Sequence, residues 1–137
     1  MIKQIFSLCL LALVLAVLAY NADISDDKIL VLNNGKSEPI EQLTPNKFIC
    51  YESRTLIADN NDTAQAIMPN GDIYFFNDIT NSFIWYMAQK SKDKIKLYVY
   101  SRDTNRYILA QDAWYSRVDI TPMGYGIGAY EFHTYGI

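Results

Sequence analysis

The chain has 137 residues, 50% hydrophobic and 20% charged with a net charge of −3, a size that fits one compact domain behind any targeting segment. The acidic balance argues against nucleic acid as a partner, which would require a basic surface. Two cysteines, one of them inside an apolar N-terminal run, exclude a disulfide framework for the domain.

Residues 1–19 read as a secretory signal. Lys3 supplies the basic start, "LCLLALVLAVLA" from Leu8 to Ala19 is the apolar run, and Val17 and Ala19 occupy the −3 and −1 positions for cleavage after Ala19. The apolar stretch from Ile5 falls short of the roughly 20 residues that span a bilayer, so an uncleaved anchor is the second expectation. Either way the remainder is exported, in the periplasm or held at the inner membrane by this segment alone. Cys9 precedes most of the apolar run and so is no lipid-attachment cysteine.

Residues 20–46 form a polar, acidic lead-in, with "ILVL" at Ile29 to Leu32 as a short strand and "NNG" at Asn33 to Gly35 as a turn. The domain is expected over 47–137. "FICYES" and "RTLIA" predict one bent strand or two short ones, closed by the "DNND" turn at Asp59 to Asp62. "TAQAIM", "PNGD" and "IYFF" predict a hairpin, with Asn70-Gly71 as a type I′ turn.

Asp78 then caps a helix whose Ile79, Phe83, Tyr86 and Met87 share one face; Phe83 and Met87 are expected on the sheet. After the lysine-rich "SKDK", "IKLYVY" alternates with Ile95, Leu97 and Val99 on one face. "YILA" returns as a strand, and "AWYSRV" and "GAYEFHT" flank "DITPMGYGIG". The predicted class is α+β: a mostly antiparallel sheet, one main helix in a β-β-α-β unit, and further strands.

Few residues here can do catalytic chemistry. His133 is the sole histidine, and HExxH, GxSxG, Walker and CxxC motifs are absent from the sequence. A Cys50/His133 nucleophilic pair has no orienting group or oxyanion hole nearby in sequence, so an enzyme is not expected. Soft ligands are the better lead. Cys50 offers a thiolate and Met68, Met87 and Met123 offer thioethers, a donor set that selects Cu(I). Met87 reads as core and Met68 as packing. Met123, in "TPMGYGIG", is either presented on a tight turn or part of a glycine-bared twisted strand that another backbone approaches.

The cysteine of "FICYES", then "AQAIMPNGDIYFFNDITNSFIWYMAQ", then "KLYVYSRDTNRYILAQDAWYSRVDITPMG", resemble in order the NosL family, accessory proteins of nitrous oxide reductase. The matching positions are Gly71 with Tyr74 and Phe75, the helix through Phe83 and Tyr86, Tyr98 to Asp103, Ala113 with Tyr115, and Pro122-Met123-Gly124, roughly 47 to 130. The resemblance implies a periplasmic metallochaperone that binds a single Cu(I) and passes it to a copper-accepting protein, nitrous oxide reductase or another copper chaperone.

Position by position, Cys50 matches the cysteine of the family's first motif and Met123 its later methionine. Where the family has Cys-Gly-Met this chain has Cys50-Tyr51-Glu52, so a carboxylate replaces a thioether. Glu52 and His133 are the remaining candidate ligands. The alternative expectation, motivated by Glu52 and by a C-terminus shorter than the family's, is a metal-free periplasmic interaction or assembly module of the same fold. Its surface would draw on Tyr98, Tyr100, Trp114 or Tyr130.

Overall fold

The computed structural model describes residues 1–25 and 28–133. Asp26, Asp27 and residues 134–137, including Thr134 at the end of "GAYEFHT", lie outside the described residues. Helix α1 (Ile2–Ser25) carries the whole apolar run. Its Ile2–Tyr20 portion is long and apolar enough to cross a membrane, a property it shares with signal sequences.

The domain is built on a five-stranded sheet of β1 (Val31–Leu32), β2 (Ala64–Ile67), β3 (Ile73–Phe76), β4 (Lys96–Tyr100) and β5 (Tyr107–Leu109). Their spatial order is β1-β3-β2-β4-β5, and every pairing is antiparallel. Helix α2 (Ile79–Met87) connects β3 to β4. β6 (Trp114–Ser116) and β7 (Gly128–Tyr130) form a separate antiparallel ribbon, joined to the end of β4 by a bridge between Ser101 and Ala129. The class is α+β, as the sequence predicts.

Alternation along the strands gives the sheet two buried faces. Ala64, Ala66, Phe76, Leu97 and Val99 pack with Ile79 and Trp85 of α2, Ala129 of β7 and Cys50. Ile67, Ile73 and Phe75 point the other way, onto Leu43, Phe48 and Ile57. The segment around Leu43, Phe48 and Ile57 thus forms a third layer, although little of it is regular structure. Between the layers, the buried amide of Gln65 accepts from the Ile40 N–H and donates to the Ile40 carbonyl, so its polar atoms are paired.

Three local expectations are corrected. The β2–β3 hairpin forms, with Ile67 opposite Ile73, but its turn is not type I′. Gly71 has φ 92 and Asn70 is not in the left-handed region; the Gly71 N–H donates to the Met68 carbonyl across Pro69 and Asn70. Proline cannot take the positive φ that a type I′ turn over Pro69 and Asn70 would require. The chain makes a right-handed turn and uses Gly71 for the left-handed residue after it.

"FICYES" and "RTLIA" contribute only isolated bridges, Phe48 to Ile29 and Ile49 to Leu56. The chain reverses too tightly between Cys50 and Thr55 for strands: the Arg54 N–H donates to the Cys50 carbonyl, and Arg54 sits at φ 60. Met87, expected in the core, is 66% exposed. The buried stripe of α2 is Ile79, Ser82 and Trp85, one position round from the stripe read in sequence. The indole of Trp85 decides this, with ring centroids 5.2 Å from Tyr74 and 5.3 Å from Phe76. Phe83 does pack against the core, edge-on to Tyr115 at 5.5 Å.

Candidate functional site

Cys50 lies where the third layer turns round the edge of the sheet, held there by the Tyr51 N–H donating to the Phe75 carbonyl at 2.8 Å. Its side chain is fully buried. One side of the sulfur meets the apolar core; the other meets the polar start of α2. The Ser53 N–H donates to Sγ at 3.4 Å and Asn81 Nδ2 approaches it at 3.8 Å. Asn81 is itself oriented by Asn77 Oδ1 at 2.9 Å, and Asn77 donates to Thr55 Oγ1 at 2.8 Å. Two N–H groups thus lie against one side of the Cys50 sulfur.

Met123 sits on the loop between β6 and β7, 40% exposed. Gly124 (φ 75) and Gly126 (φ 83) supply left-handed backbone there. A Cβ on Gly126 would stand 2.8 Å from the Arg117 carbonyl oxygen. Met123 thus lies on a turn and not in a twisted strand, since β7 begins only at Gly128, although the bare Gly126 does let another backbone come close.

The base of the loop is pinned by Arg102, which donates from Nε and Nη2 to the two oxygens of buried Asp62, each at 2.8 Å, from Nη2 also to the Ile120 carbonyl, and from Nη1 to Asp119 at 3.3 Å. The hydrogen bond to Asp62 raises the Arg102 pKa, burial opposes this, and the charges of Asp62 and Asp119 add to the rise. Tyr130 donates to the Asp119 carboxylate.

The two sulfur-bearing segments are attached to the same helical turn. Asp78, the N-cap of α2, accepts from the Thr80 N–H with Oδ1 and from the Met123 N–H with Oδ2, both at 3.1 Å. Asn81, three residues on, reaches the Cys50 sulfur. The backbone of Met123 and the side chain of Cys50 are thus both held at the start of α2.

The other candidates are placed differently. Glu52 is exposed in the turn that follows Cys50. His133 stacks on Trp114, ring centroids 4.1 Å apart, at the end of the β6–β7 ribbon remote from the Met123 loop. Met68 packs against the core. Among the described residues no three His, Cys, Asp or Glu side chains gather into a cation site. Of the aromatic residues expected on the surface, Trp114 is exposed, Tyr98 and Tyr130 are half-buried and Tyr100 is buried.

Met87 borders an open apolar cleft of 640 Å³ between α2 and β4–β5, with Phe83, Tyr86, Leu97, Leu109 and Tyr115 among its walls. Sequence reasoning missed the roles of Asn81 and Arg102, because the partners of both lie far along the chain. It found Asp78 as a cap without its second contact.

No protein-family model matches the sequence, nor does any curated protein. Among solved structures, the chain is similar to the crystal structure of the copper chaperone NosL from Shewanella denitrificans. The TM-score is 0.55 at 15% identity, covering 70% of this chain and 83% of that one. At this identity the likeness is one of fold, and the NosL-like fold expected from the sequence is the fold the chain adopts.

Proposed function

We propose that this chain is an exported accessory protein that holds one Cu(I) between the Cys50 thiolate and the Met123 thioether and hands it to a copper-accepting partner. The observation that carries this reading is the attachment of both segments to the first turn of α2, through Asn81 and Asp78. The likeness in fold to a copper chaperone supports it. Nitrous oxide reductase or another periplasmic copper protein is the proposed acceptor, and ligand exchange is the only chemistry required. Because Cys50 is buried and Met123 is partly exposed, the ion arrives and leaves past Met123, where an acceptor's own soft ligand can displace the thioether first.

The test is an anaerobic competition titration of Cu(I) against a chelator, with Cys9→Ser throughout so that Cys50 is the remaining thiol. The unmodified site should retain about one ion, Cys50→Ser should lose it, and Met123→Leu should weaken it by about tenfold or more. Full retention by Cys50→Ser would falsify the assignment of the site.

A second reading, a metal-free interaction module, is favoured by the complete burial of Cys50 within the core and by the open apolar cleft beside Met87. It predicts that the chelator strips all copper from the protein. It also predicts that Glu52→Met, which restores the family's thioether, creates an affinity the natural sequence lacks.

A further inference from the structure

We infer that Asp78 is a positioning residue for the proposed copper site: it binds no metal and sets Met123 toward Cys50 by accepting the Met123 N–H. The inference rests on the copper reading above. A helix N-cap needs one acceptor, and serine, threonine or asparagine supplies it as well as aspartate. Asp78 is fully buried, and its two oxygens do different work. Oδ1 caps α2 at Thr80; Oδ2 reaches 45 positions along the chain to the backbone of Met123.

The rest of the loop is secured independently of Asp78. Arg102 holds Asp119 and the Ile120 carbonyl, Asp119 N–H donates to the Gly126 carbonyl, and the Gly126 N–H donates to Thr121 Oγ1. Losing Oδ2 should therefore release Met123 without unfolding the loop or the helix. Two substitutions make that separation. Asp78→Ser keeps a capping oxygen and has no second acceptor. Asp78→Asn is isosteric, and with its oxygen on Thr80 it turns an amide donor toward the Met123 N–H.

The experiment uses the full chain, carrying Cys9→Ser, in mild detergent micelles. Hydrogen exchange of the metal-free protein should show Met123 amide protection falling by about tenfold in Asp78→Ser, with the amides of α2 unchanged. Chelator competition should show Cu(I) affinity about tenfold lower in both Asp78 variants. In a Met123→Leu background the Asp78 substitutions should cost nothing further, because the effect passes through the thioether.

An equal loss of affinity in the Met123→Leu background would make Asp78 merely structural and overturn the inference. So would wild-type affinity in a variant whose Met123 amide has lost protection. Failure of the parent protein to bind Cu(I) at all would overturn the copper reading itself, and is told apart by the absence of binding before any substitution is made.

Discussion

Gly126 combines φ 83 with a carbonyl oxygen 2.8 Å from where its Cβ would stand, whereas Gly124 has φ 75 and open space around it. Alanine at position 124 meets only the left-handed penalty, about 1 kcal/mol. At 126 it must also push back the Arg117 backbone, so Gly126→Ala should cost about 2–3 kcal/mol and melt several degrees lower than Gly124→Ala. Equal melting temperatures for the two variants would show that the Arg117 backbone yields freely. The special backbone of this stretch was legible because glycine density advertises it. Which glycine is merely bent and which is also crowded was not, since the crowding atom belongs to another segment.

The joint between β7 and the β4–β5 turn is polar. Glu131 accepts from Thr104 Oγ1 at 2.6 Å and from Nε of Arg106 at 2.9 Å, with Nη2 of Arg106 completing a two-pronged contact. The Arg106 hydrogen bond first, and that of Thr104 next, pull the Glu131 carboxyl from its ordinary 4.5 down to about 2. A folded-state pKa below the unfolded one means this contribution is complete above pH 4.5 and is lost as the pH falls toward 2. Glu131→Gln should flatten the decline in unfolding free energy across that window, measured by denaturant titration at each pH, and added salt should mimic it because the pair is exposed. A slope unchanged by the substitution would assign the acid sensitivity elsewhere. The strands on either side of this joint were readable in the sequence, β4 from its alternation. The joint was not, because a turn sequence such as "SRDTNR" does not say which strand end its side chains will meet.

Leu43 is 1% exposed on the second face of the sheet, in a segment whose composition reads as a polar lead-in. Leu43→Ala should destabilise the domain by about 2–4 kcal/mol, the cost of a cavity in a packed core, read from the denaturant midpoint. A loss below about 0.5 kcal/mol would mean that residues 29–46 dress the domain without holding it together. The hairpin of β2 and β3, the Asp78 cap and start of α2, the β4–β5 return and the apolar N-terminal segment are all present in the linear text. Periodicity, capping and turn chemistry act between residues a few positions apart. The choice of buried stripe on α2, the third layer and the site are of another kind. The Asn81 contact to Cys50 spans 31 positions and the Asp78 contact to Met123 spans 45. Such contacts depend on the sheet gathering distant segments, so the fold alone decides that a free cysteine and a methionine on a glycine turn are both tied to one helix start.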